Sequence, residues 1–227
     1  MDLVYFNIDH GYPEALCRQL RKGFLDENVY NNLKSCNNLT DFKMVLEETD
    51  YHGIVSLTPE IEITDLKTKC WKKLAEEFEH LIAQSVQPLT GFLKMILHGF
   101  MIDNVVNVIE GVKNNVDVEV LLKRADPLGD FPELKNIRMV DGDDYGQLYE
   151  TVLIDLPIGV YFRKLLAQED ASSADRIAEA MRDYWPEKIK NLLKKIWITE
   201  LYNYVNTYLN DISQEILNDI LKFESDC

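Results

Sequence analysis

Apolar residues recur at three- and four-residue intervals along most of the chain, the period of one helix face, and capping or breaking residues separate the periodic runs. After Gly11, Pro13 and Glu14 open a predicted helix through Leu16, Leu20 and Phe24. Asp26 is placed to cap a short second helix ending near Lys34. Thr40, read as an N-cap, and Asp41 open a third through Phe42, Val45 and Leu46, which fades at Asp50-Tyr51-His52-Gly53. Val55 to Ile63 alternates weakly, but Pro59 divides it, so an extended connector is expected there and not a sheet.

Asp65 begins a long amphipathic helix. Leu66, Cys70, Leu74, Phe78 and Leu81 share a stripe, while Lys72 with Glu76 and Lys73 with Glu77 take the i,i+4 spacing of a wet face. Pro88 breaks the chain before its greasiest stretch, Leu89 to Ile109. Lys94, His98, Asp103, Asn104 and Asn107 interrupt that stretch, whereas a membrane span needs about 20 mostly apolar residues, so it reads as a helix buried in a protein core. Lys113-Asn114-Asn115 predicts a turn, Asp117 to Ala125 a short helix, and Asp126-Pro127-Leu128-Gly129 a second turn. Asp144 to Asp155 and Gly159 to Ala167 read as further helices. Ser172-Ser173 opens a last region where Ile196, Trp197, Leu201, Tyr204, Val205 and Tyr208 line up and Ile212, Ile216, Leu217 and Ile220 continue the pattern.

The fold class is therefore all-α. A loose repeat relates Pro13-Glu14-Ala15-Leu16 to Val118-Glu119-Val120-Leu121, and the segment around Phe42, Val45 and Leu46 to that around Tyr149, Val152 and Leu153, roughly 105 residues later. This suggests a duplicated helical subdomain, divided as 1–112 and 113–227, although chance matching of amphipathic helices yields the same kind of similarity.

Composition narrows the function. With 46% hydrophobic residues and only 7 Pro and 10 Gly, the chain should be globular. A net charge of −15 repels phosphate backbones and anionic lipid headgroups, which disfavours nucleic acid and direct membrane adsorption. Lys188, Lys190, Lys194 and Lys195 form one basic cluster, read either as a solvated helix face or as a docking patch for an acidic partner. Cys17, Cys36, Cys70 and Cys227 lack CxxC pairing, which argues against a zinc site and a disulfide framework and fits a reducing cytosol. The first residues show no basic-then-apolar leader pattern, so the sequon Asn38-Leu39-Thr40 is not expected to be glycosylated.

Catalytic chemistry is thinly represented. Glu77-Phe78-Glu79-His80 carries the Glu-x-x-His spacing of di-iron bundles, but none of His10, His52 and His98 has a Glu three residues before it. A surface ion pair or a capping role is the simpler reading of Glu77 and His80. Asp141-Gly142-Asp143-Asp144-Tyr145-Gly146 starts like a calcium loop and then fails, with Tyr145 in its fifth place and Val152 in its twelfth. No phosphate-binding glycine loop, GxGxxG or GxSxG is present, so neither nucleotide binding nor a catalytic serine is expected. No catalytic, cofactor-binding or metal residue is assigned. Trp185, Trp197, Tyr202, Tyr204 and Tyr208 crowd the final third, as core packing or as interface residues.

Several segments resemble subunit d of the eukaryotic vacuolar-type proton ATPase. They are Tyr5-Phe6-Asn7-Ile8-Asp9-His10-Gly11-Tyr12, Leu39-Thr40-Asp41-Phe42-Lys43 through Thr49-Asp50-Tyr51, and Met101-Ile102-Asp103-Asn104-Val105. Pro127-Leu128-Gly129-Asp130-Phe131, Leu148-Tyr149 through Asp155-Leu156-Pro157, and Leu221-Lys222-Phe223-Glu224-Ser225-Asp226 follow in the family's order. Two departures stand out. The stretch from Asp170 to Lys190 is longer than the family's usual form, and the family's chains continue past the equivalent of Cys227, so this sequence corresponds to the first two of three helical subdomains.

The resemblance implies part of a funnel-shaped helical fold and a non-catalytic rotor role. Its implied partners are the proteolipid c-ring and the central-stalk subunits, met on the cytosolic face of vacuolar or other acidic endomembranes through the ring and not through lipid. No cofactor is implied. Two alternatives remain at this point: an acidic helical adaptor outside the ATPase, and a helical metal enzyme using Glu77 and His80.

Overall fold

A computed structural model describes residues 3–55, 63–136, 156–168, 186–209 and 211–226. Regular structure among these residues is entirely helical, and the fold is all-α as the 3.6-residue period predicts. The chain divides into two compact units, Met1–Thr90 and Gly91–Cys227.

The first unit contains α1 (Leu3–Lys22), α2 (Glu27–Ser35), α3 (Leu39–Glu47), α4 (His52–Val55) and α5 (Ile63–Ala83). Helix α1 begins well before Gly11 and runs through Pro13. Proline removes one hydrogen bond to the carbonyl four residues back; here that residue is Asp9, which lies exposed where water can serve its carbonyl. Asp26 caps α2 as expected, its carboxylate accepting from the Val29 amide at 2.9 Å. The cap of α3 is Asn38 and not Thr40: Asn38 Oδ1 accepts from the Asp41 amide at 2.8 Å, two residues earlier than a Thr40 cap would begin the helix. Helix α3 ends at Glu47, a few residues before the expected fade, and His52 and Gly53 open the separate short α4.

Leu46 is the buried centre of a small cluster with Leu25, Leu33, Phe42, Tyr51 and Leu66. On α5 the predicted stripe is displaced. Leu74 is 45% exposed while its neighbour Ala75 is 8% exposed.

The second unit holds α6 (Leu89–Lys113), which begins two residues before the dividing point, and α7 (Val118–Arg124). Two 3-10 helices follow, Pro127–Gly129 and Pro132–Asn136, and then α8 (Gly159–Gln168), α9 (Pro186–Tyr208) and α10 (Asp211–Asp226). Asp117 caps α7, and Asn115 takes a left-handed φ of 58° in the turn that Lys113-Asn114-Asn115 predicts.

By length and composition α6 could cross a membrane. Ile102, Val105, Val106 and Val108 are nonetheless buried with Phe131, Leu134, Ile158, Tyr161, Phe162, Leu165 and Leu193 in one core. Each such side chain contributes about 1.5–3 kcal/mol of burial, which ties α6 to the second unit. The division at Thr90–Gly91 therefore falls in the first turn of α6, whereas the boundary expected from sequence at 112/113 falls at its C-terminal end.

Helices α9 and α10 form a hairpin around Leu201, Val205 and Leu221, closed by the Tyr202 hydroxyl donating to the Asn218 carbonyl at 2.9 Å. Buried Asn104 staples the 3-10 turn to α6. Its amide donates to the Asp126 carbonyl at 2.9 Å, and its oxygen accepts from the Asp126 amide at 2.8 Å. A buried side-chain amide matched on both sides avoids the 1–3 kcal/mol or so that an unsatisfied group costs.

Candidate functional site

The sharpest catalytic reading rested on Glu77 and His80. Glu77 is half-buried and ion-paired with Lys73, which also lies 3.5 Å from Asp50 and 5.6 Å above the Tyr51 ring. Burial opposes the charge on Lys73, but the hydrogen bond and attraction from Glu77, with Asp50, outweigh it and raise the ammonium's pKa. The pair predicted on a wet face thus fastens α5 to the segment between α3 and α4. His80 is exposed one turn away. Among the described residues no three His, Cys, Asp or Glu side chains gather as a metal ion would require, so Glu77 has a structural partner and no ligand set around it. The acidic run Asp141 to Gly146 lies outside the described residues.

The lysine cluster divides between a solvated face and an interhelical tie. Lys190 and Lys194 grip the two oxygens of Asp103 at 2.9 and 2.8 Å, fastening α9 to α6, while Lys188 and Lys195 are exposed. Each bridge is partly solvated and contributes on the order of 1 kcal/mol or less. Its larger effect is positional, since one carboxylate between two ammonium groups fixes the register of α9 on α6.

Most described aromatics of the final third are also structural. The Trp197 indole donates to the Met95 carbonyl at 2.6 Å and lies so close to α6 that a Cβ at Gly99 would sit 2.8 Å from it. Tyr204 stacks at a tilt on Tyr208, 4.8 Å between centroids, and Tyr208 stands exposed. Trp185 is outside the described residues. Across the same core, the Tyr161 hydroxyl on α8 lies 2.7 Å from His98 Nδ1 on α6. Burial, with Glu200 nearby, pushes the Tyr161 phenol up, and burial lowers the pKa of His98.

What these units present outward is apolar area. Phe24, Met44 and Trp71 in the first unit, and Ile216 and Ile220 in the second, are large and exposed. Ile216 and Leu217 sit about 100° apart on a helix, and Leu217 is the one that packs on the hairpin core. Such side chains offer binding area and no chemistry.

Comparison with known proteins gives these surfaces a context. The family model described as ATP synthase (C/AC39) subunit matches residues 13–227. The chain is 38% identical over 225 residues to V-type proton ATPase subunit d of Dictyostelium discoideum, covering 99% of this chain and 60% of that protein. It is 36% identical to V-type proton ATPase subunit d2 of Arabidopsis thaliana, covering 99% and 61%, and 34% identical to V-type proton ATPase subunit d of Saccharomyces cerevisiae, covering 100% and 63%. It spans 60–63% of the length of these relatives. Matched over nearly its whole extent, the chain belongs to the ATP synthase (C/AC39) subunit family.

Proposed function

We propose that the chain is a non-catalytic coupling part of a vacuolar-type proton-translocating ATPase, joining the rotating central stalk to the membrane proteolipid ring at the cytosolic face of acidic endomembranes. The observation that carries this reading is the similarity, along 99–100% of the chain, to proteins named V-type proton ATPase subunit d. The matches span only part of those proteins, so the chain supplies two of the three helical subdomains that the resemblance implies.

The physical character of the second unit suits the role. Torque is passed on only by a body that does not shear, and close-packed interiors have low compressibility. Here α6, α8 and α9 share a core in which Ile102, Phe162 and Leu193 are fully buried. Polar ties at Asp103, Asn104 and Trp197 add directional resistance to sliding between the elements they join. The net charge of −15 keeps the surface away from anionic lipid, so contact at the membrane runs through the ring protein. The reading assigns no catalytic residue and no cofactor, metal, nucleotide or nucleic acid.

Depleting the protein from its own cell is the functional test. Organelle acidification is expected to be lost, and the tagged chain is expected to co-purify with proteolipid ring subunits. Normal acidification with the chain absent from the ATPase complex would refute the proposal.

A further inference from the structure

His98 occupies a position of unusual consequence for a lone histidine. It lies on α6 one residue from Gly99, where Trp197 of α9 makes its close approach. Its ring meets Tyr161 of α8 edge-on, with centroids 5.7 Å apart and planes at 67°, and Nδ1 is 2.7 Å from the Tyr161 hydroxyl. Glu200 of α9 bears electrostatically on that same tyrosine and is bridged to Lys164 of α8 at 2.6 Å. Three helices thus converge on one imidazole and one phenol.

The hydrogen-bond logic of the pair depends on the ring being neutral. Tyr161 is only 2% exposed, so its O–H needs a protein acceptor, and the Nδ1 lone pair of a neutral imidazole provides one. A protonated ring has no lone pair and presents N–H at both nitrogens. The hydroxyl must then reverse, accept from Nδ1 and send its own proton elsewhere. Glu200, the carboxylate that bears electrostatically on this phenol, is already engaged by Lys164.

Among the described residues, the charged groups on these helices within about two turns of His98, Tyr161 or Glu200 are Lys94 and Asp103 on α6, Arg163 and Lys164 on α8, and Lys194, Lys195 and Glu200 on α9; Asp130 and Glu133, beside the core residues Phe131 and Leu134, are exposed. Asp103 and Glu200 are each already bridged to lysine, Asp103 at 2.9 and 2.8 Å and Glu200 at 2.6 Å.

We propose that His98, Tyr161 and Glu200 form a proton-operated catch: the neutral imidazole pins α8 to α6, and protonation of His98 in mildly acidic surroundings loosens α8 from the core of the second unit. This does not rest on the coupling role proposed above.

The direction in pH follows from the lowered pKa of His98 in the folded chain. The unfolded ring titrates near 6.5, so the stabilisation is complete above about pH 6.5, declines as pH falls from there, and levels off below the folded pKa.

Hydrogen exchange of α8 amides in the full chain, corrected for the intrinsic pH dependence of exchange, is the test. Between pH 7.5 and 5.5 the corrected rate over Gly159–Gln168 is expected to rise, by up to the roughly tenfold ceiling set by an unfolded ring titrating near 6.5, while α5 in the first unit stays level. In His98→Gln, whose amide oxygen still accepts but takes no proton, the acid rise should vanish. If that variant fails to fold, the His98 ring titration followed by NMR in the unmodified chain decides the matter, with a midpoint below 6.5 expected. A rise that persists in His98→Gln, no rise in the unmodified chain, or a ring that titrates at or above 6.5 would each overturn the catch.

Discussion

Gly129→Ala is expected to destabilise the second unit by about 3 kcal/mol, read as a shifted urea transition by helical circular dichroism. A Cβ at this buried position would run into the Phe100 carbonyl, in the middle of α6, and would lie 2.7 Å from the Asn104 amide nitrogen. A mid-helix carbonyl is committed to the helix's own hydrogen bonds and cannot retreat. The displacement would therefore fall on Asn104, whose two bonds to Asp126 hold the turn. Overpacking at about 1–3 kcal/mol then adds to the cost of leaving a buried amide unmatched, of similar size. Gly111→Ala is the internal comparison. The nearest atoms to its Cβ would be the methyl carbons and Cγ of the Leu121 side chain and not backbone, and alanine gains up to about 1 kcal/mol over glycine within a helix. That variant is expected to stay within about 1 kcal/mol of the parent, so equal losses at the two glycines would show that backbone proximity at Gly129 is not what matters.

Phe162→Ala is expected to cost about 3–5 kcal/mol. Phe162 is 0% exposed, and it shares its core with Ile102, Ile158, Leu165 and Leu193, drawn from α6, α8, α9 and the turn before α8. Truncating it removes the apolar transfer energy and leaves a cavity that three helices cannot all close upon. Against a typical folding free energy of about 5–15 kcal/mol, such a loss is a third or more of the total for many domains. Phe24→Ala, at a phenylalanine 72% exposed in the first unit, should change stability by no more than about 0.5 kcal/mol. A small loss at Phe162 in the same urea assay would mean that the three-helix core is not the rigid centre of this unit.

Local signals carried much of the fold. The caps at Asp26 and Asp117, the turn at Asn115 and the helix from Gly159 each depend on residues within one or two turns, and each forms where the pattern places it. Errors arose where two local rules competed. Pro13 reads as a helix start, but an exposed Asp9 lets it sit inside α1; Asn38 and Thr40 are both capping residues, and the one that reaches the Asp41 amide wins. On α10 the apolar run Ile216, Leu217 and Ile220 does not say which face meets α9; Leu217 packs there while Ile216 and Ile220 stand exposed.

Long-range pairings left no local trace. Nothing near Asp103 announces Lys190 and Lys194, and nothing near His98 announces Tyr161, because these contacts form only when α6 meets helices far along the chain. That is why the local pattern of the lysine cluster offers only a solvated face or a docking patch and not the tie to Asp103. The family, by contrast, was legible from blocks such as Met101-Ile102-Asp103-Asn104-Val105 and Pro127-Leu128-Gly129-Asp130-Phe131. Those blocks include both sides of the contact at which Asn104 and Gly129 meet.

A density map of the intact ATPase isolated through a tag on this chain tests the coupling role most directly. The chain is expected on the rotor, in contact with the cytosolic end of the proteolipid ring on one side and the central stalk on the other. A tagged chain found in a complex with neither ring nor stalk, or on the stationary part of the ATPase, would contradict it.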